Sequence, residues 1–113
     1  MQRILKFCVV SLITVMLHSQ LVFAQDADLV EAGKVVFEAN CAACHANGNN
    51  VINPEKTLKL DILQINGKDT ISAITTQVTQ GYGAMPAFGG RLSEEEITSV
   101  ANYVLNQAKT DGW

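Results

Sequence analysis

Cys41-Ala42-Ala43-Cys44-His45 places two thiols three residues apart, with an imidazole directly after the second. This is the local signature of covalent c-type haem attachment. On a helical turn, residues at i and i+3 share a face, so both sulfurs can reach the two vinyl groups on one porphyrin edge. His45, four residues after Cys41, is then carried under the ring and can bind iron from one side. A pure electron carrier needs a second axial ligand. Met85 is the only methionine beyond the first 24 residues.

Two rival chemistries need ligands or a setting that this chain lacks. A structural zinc site wants four ligands, and beyond residue 24 the Cys and His supply is Cys41, Cys44 and His45 alone. A thioredoxin-like redox pair wants a βαβ setting, and no alternating strand pattern surrounds the motif. Met85 could instead fill a gap in the core, as methionines commonly do. The surrounding loop and the missing competitor favour ligation. Histidine with methionine raises the potential of haem iron, because a soft thioether favours the ferrous state. Six-coordinate iron also keeps no open position, which disfavours a peroxidase, an oxygen carrier or a gas sensor. Outer-sphere transfer of one electron is the role left, and no acid–base constellation points to an enzyme.

The segment 1–24 is expected to be a cleaved signal peptide. Arg3 and Lys6 supply a positive start, Phe7 to Leu17 is an apolar run, and Val22-Phe23-Ala24 is a small-residue cleavage pattern. The apolar run is about half the length a spanning helix needs, which disfavours a permanent anchor. Cleavage after Ala24 removes Cys8, Met16 and His18, so no surplus thiol remains. Residues 25–113 then form one domain. They carry six basic and eleven acidic side chains, a formal charge of −5. Such a balance argues against nucleic acid and anionic membranes and favours a partner with a positive docking patch. A domain this small buries only somewhat over roughly 60% of its unfolded surface, so a haem is expected to staple it.

Hydrophobic spacing predicts an all-α fold. Asp28 with Glu31 has capping-box character, and Gly33, Phe37 and Cys41 follow on one face of the first helix. Leu58, Ile62 and Ile65 predict a second helix ending at Asn66-Gly67. A third starts near an Asp69 N-cap, carries Ile71, Ile74 and Val78, and stops at Gly81. Ser93 to Glu96 is a second capping box, opening a helix with Ile97, Val100, Ala101, Val104, Leu105 and Ala108 on one stripe. Between Gly81 and Leu92, four glycines in twelve residues predict a loop. Pro86 biases Met85 toward extended backbone, so its thioether can project sideways.

These residues resemble a known family. Gly33-Lys34-Val35-Val36-Phe37, Asn40 through His45, Ala84 through Leu92, Ala101-Asn102-Tyr103-Val104-Leu105 and Gly112-Trp113 together are similar to the cytochromes c6, class I c-type cytochromes. The resemblance implies about four helices wrapped around one haem c bound through Cys41 and Cys44, with His45 and Met85 as axial ligands. It implies electron transfer from the cytochrome b6f complex, through cytochrome f, to photosystem I in the thylakoid lumen of a plastid or cyanobacterium. It matches Gly33 and Phe37 to first-helix positions that meet Val100 and Tyr103 of the last helix. It also places Gln77 near the haem and gives Arg91 a part in docking to photosystem I. Read without it, Gln77 is a helix amide, Arg91 a solvent-facing residue before a cap, and Glu94-Glu95-Glu96 a run suited to the helix dipole. Tyr82-Gly83 departs from the family, many members of which carry a lysine before Ala-Met-Pro. Alternative functions are a carrier feeding a terminal oxidase and a ligand-binding haem protein.

Overall fold

The computed structural model describes the backbone of residues 1–113 and the side chains of all but residues 17–24. The expected cleavage pattern at Val22-Phe23-Ala24, and His18, therefore lie outside the described residues. Helix α1 runs over Gln2–Asn40, α2 over Ala42–His45, α3 over Leu60–Ile65, α4 over Ile71–Gln80 and α5 over Glu94–Lys109. The only β-type pairings among the described residues are isolated bridges, Tyr82 with Met85 and Gly89 with Leu92. The all-α expectation holds. No helix among the described residues is long and apolar enough to cross a membrane.

Helix α1 is continuous, which corrects the expected start at Asp28. Inside an unbroken helix the amides near Asp28 already have carbonyl partners, so a capping box has nothing to satisfy. Residues of α1 before 17 are exposed along their length, including Ile4, Phe7 and Leu12, and none joins the core. The core begins with the α1 stripe that spacing predicted: Gly33 and Phe37 are buried, and Cys41 is half-buried.

The α1–α5 crossing is the main contact of the molecule, and Gly33 makes it possible. A Cβ at Gly33 would overlap the Ser99 carbonyl oxygen and lie 2.8 Å from Tyr103 Cβ. One helix turn later, the Phe37 and Tyr103 rings tilt together with centroids 5.2 Å apart. Gly to Ala inside a helix normally gains about 0.5–1 kcal/mol. At Gly33 the blocking atoms belong to backbone, so overpacking of about 1–3 kcal/mol reverses the sign. Gly33→Ala is thus expected to lower the thermal midpoint of the haem-loaded protein by several degrees; a raised midpoint would sink this account of the crossing.

Helix α5 matches its sequence signal in full. Ser93 Oγ accepts the Glu96 amide at 3.1 Å, and Glu96 Oε2 accepts the Ser93 amide at 2.8 Å. Ile97, Val100, Ala101, Val104, Leu105 and Ala108 are all buried. Two expectations need correction. The N-cap of α4 is Thr70, not Asp69: the Thr70 hydroxyl accepts the Ala73 amide at 3.1 Å. In α3 the buried residue is Leu63, while Ile65 is exposed and Leu58 precedes the helix. Six residues are under two turns, so the surrounding packing selects the inward face rather than a full periodic stripe.

Candidate haem site

The thiol–imidazole motif sits where α1 ends. Cys41 is the C-cap of α1, at φ −118° and ψ −31°, and its amide donates to the Phe37 carbonyl at 2.8 Å. The one-turn helix α2 then carries Cys44 and His45, with the His45 amide bonded to the Cys41 carbonyl at 2.9 Å. The chain folds back at once, and the Val51 amide reaches the Cys44 carbonyl at 3.1 Å. That return places the Asn49 carbonyl 2.9 Å from His45 Nδ1. A carbonyl can only accept, so Nδ1 carries the proton and Nε2 keeps the lone pair that could bind iron.

The Met85 loop is fastened at both ends. Gly81 ends α4 with φ +67°, a left-handed conformation open to glycine. A Cβ there would also press within 2.6 Å of the Met85 carbonyl oxygen. Tyr82 and Met85 exchange backbone hydrogen bonds of 3.0 and 3.1 Å across Gly83-Ala84. Beyond Met85, the Phe88 amide donates to the Val78 carbonyl at 2.9 Å and the Gly89 amide to the Thr79 carbonyl at 3.1 Å. The thioether is thereby held against Gln77, whose Nε2 lies 3.6 Å from Met85 Sδ.

These elements enclose one cavity of about 550 Å³, lined by Cys41, Cys44, His45 and Met85 with Phe37, Ile74, Val78, Phe88, Val100 and Val104. Four residues picked out for their chemistry, separated by as many as 44 positions, share a single wall system. Gln77 lines it too, while Arg91 does not. Arg91 lies outside, its guanidinium 5.1 Å from the centroid of the buried Phe88 ring. Glu94, Glu95 and Glu96 are exposed in the first turn of α5, with Glu96 engaged in the cap. Burial pushes the Cys41 thiol up to about 11, whereas Cys44 is exposed. Among the described residues no cluster of three or more His, Cys, Asp or Glu side chains could hold a bare metal ion.

The residues fit a haem on the structure's own terms. The cavity has the size of a cofactor site and mostly apolar walls, and both thiols sit at its rim with an oriented imidazole. Comparison with known proteins agrees. A family model described as cytochrome c oxidase, cbb3-type, subunit III matches residues 28–104, taking in both the thiol motif and Met85. Cytochrome c6 of Bumilleriopsis filiformis is 64% identical over 84 residues, covering 74% of this chain and 96% of that protein. The chain belongs to the cytochrome c6 family. Cytochrome c6 of Porphyra purpurea is 54% identical over 107 residues, 95% of this chain and 88% of its relative. The solved cytochrome c6 of the diatom Phaeodactylum tricornutum superposes with a TM-score of 0.70 at 58% identity, covering 74% of this chain and 98% of that one. The fold is that of the small class I c-type cytochromes, and the cofactor is haem c, held through Cys41 and Cys44.

Three features of the site escaped sequence reasoning. The Asn49 partner of His45 is a backbone carbonyl, which every residue possesses, so no residue type announces it. The Gln77–Met85 contact depends on how α4 faces the loop. Trp113 is the third: its ring packs 5.3 Å from Phe37 and 5.9 Å from Tyr103, centroid to centroid, and its Nε1–H donates to the Leu58 carbonyl at 3.0 Å. An indole near a chain end is costly to leave exposed, and that was the available signal.

Proposed function

We propose that this family member is a soluble carrier that moves single electrons from the cytochrome b6f complex to photosystem I in the thylakoid lumen. One arrangement carries the reading: an imidazole with its Nε2 free and a clamped thioether line the same haem cavity. Bound haem supplies a one-electron Fe(III)/Fe(II) couple. His45 and Met85 would hold the iron between them, and a site closed in that way would leave no place for oxygen or a substrate, which suits electron transfer rather than catalysis. The Asn49 carbonyl fixes the tautomer of His45. Apolar walls from Phe37, Val78 and Phe88 exclude water and favour the less charged ferrous state.

Residues 1–24 act as a signal peptide removed on export. In support, the Bumilleriopsis and Phaeodactylum relatives are matched almost completely by about three quarters of this chain. Partners dock through charge, with Arg91 contributing on the face outside Phe88. The test is flash-induced reduction of oxidised photosystem I by the purified protein. Wild type is expected to react, and Arg91→Glu to react about three- to ten-fold more slowly at low salt, the gap closing as salt screens the charge. No reaction of the wild type with photosystem I would sink the reading.

A carrier feeding a terminal oxidase is the second reading, favoured by the oxidase-subunit description of the matching family model. Rapid oxidation by a purified oxidase, with none by photosystem I, would select it.

A further inference from the structure

Tyr82 belongs to the Met85 loop, and its ring is exposed beside the cavity mouth. Lys56, from the loop between the motif and α3, also lines that mouth, and its Nζ lies 5.7 Å from the Tyr82 ring centroid. This is within cation–π range. Both partners are mounted on fixed backbone. Lys56 is held because Asn50 Nδ2 donates to its carbonyl at 3.1 Å and its amide donates to the Asn53 carbonyl at 2.9 Å. Two residues on, the Leu58 amide donates to the Gly48 carbonyl at 2.7 Å, and the Leu58 carbonyl takes the Trp113 indole proton. On the other side, Tyr82 exchanges two backbone hydrogen bonds with Met85.

We propose that Lys56 and Tyr82 form a latch across the cavity mouth and act as positioning residues for the Met85 thioether. The loop of residues 49–59 is anchored to the protein body through Trp113. Its ammonium group rests on the one aromatic ring of the Met85 loop that faces solvent. Lifting Met85 away from the iron moves Tyr82, because their backbones are paired, and so breaks the cation–π contact. The latch therefore adds its energy to the closed loop and nothing to the open one. A population difference of that kind appears as weaker binding of any ligand that must displace Met85. The inference rests on Met85 being the axial ligand.

The experiment titrates the ferric haem-loaded protein with imidazole and follows loss of the sulfur-to-iron charge-transfer band. Tyr82→Leu and Lys56→Met are each expected to tighten apparent imidazole binding about two- to five-fold, the range an exposed cation–π contact supports. Tyr82→Phe keeps the ring and Lys56→Arg keeps the cation, so both are expected to match wild type. The double variant Tyr82→Leu with Lys56→Met is expected to equal either single one, because the two residues act as one contact. Wild-type affinity in Tyr82→Leu, additive effects in the double variant, or a tightening in Tyr82→Phe equal to that in Tyr82→Leu would each overturn the latch. Failure of the ligand assignment looks different: the charge-transfer band would survive Met85→Ala.

Discussion

Met85→Ala is expected to abolish the sulfur-to-iron charge-transfer band and to let the ferrous protein bind carbon monoxide readily at neutral pH. The reduction potential should fall by on the order of 100 mV, since axial-ligand identity spans about 0.8 V across haem proteins. Alanine also empties space in a half-buried position, so a second variant separates ligation from packing. Leucine conserves volume and apolarity, and such exchanges in cores usually cost under about 1.5 kcal/mol. If Met85 only fills the core, Met85→Leu is almost silent. If Met85 binds iron, Met85→Leu loses the band and gains carbon monoxide binding as fully as Met85→Ala does. Carbon monoxide binding to the wild type would defeat the closed-site reading outright.

Without haem, the domain is expected to lose its cooperative fold. Phe37, Ile74, Val78, Phe88, Val100 and Val104 belong to the core and line the cavity as well, so the cofactor completes the core rather than decorating it. Left without haem, the cavity of about 550 Å³ exposes those apolar walls to water. A typical domain is stable by only about 5–15 kcal/mol, so losing the apolar contacts that haem makes with six core residues removes a large share of the total. Cys41→Ser with Cys44→Ser, purified without haem, should therefore melt without a sharp thermal transition and show low, broad helicity by circular dichroism. A cooperative transition matching that of the haem-loaded protein would overturn the expectation.

The local signals were legible to different depths, for physical reasons. The capping box at Ser93 and Glu96 and the α5 stripe lie within a few residues, so the sequence already contains both partners of each interaction. The α3 stripe was misread at Ile65 because a six-residue helix has too few turns for periodicity to single out a face. Thr70 rather than Asp69 caps α4, since both residue types suit an N-cap and stand side by side, so composition alone does not choose between them. At Asp28 the signal was sound for a chain beginning nearby, but the attached residues extend the helix through it.

The site divides the same way. Cys41-Ala42-Ala43-Cys44-His45 declared haem chemistry because thioether attachment and iron ligation are local, set by three side chains within two helical turns. Met85 could be named by elimination. Its residence in the same cavity as the motif could not, since 40 residues separate it from His45 and only the packing of α4 and α5 against α1 closes that distance. Long-range packing also tied Trp113 to Leu58 and brought Lys56 over Tyr82, whereas the Asn49 carbonyl at His45 and the Gln77 amide at the sulfur come from turns of the chain within eight residues. Which side chains are candidates to ligate iron is a property of composition and spacing, which the chain carries with it. Their meeting in one cavity, and the contact of Lys56 with Tyr82, arise only when segments far apart in sequence are forced to share one core.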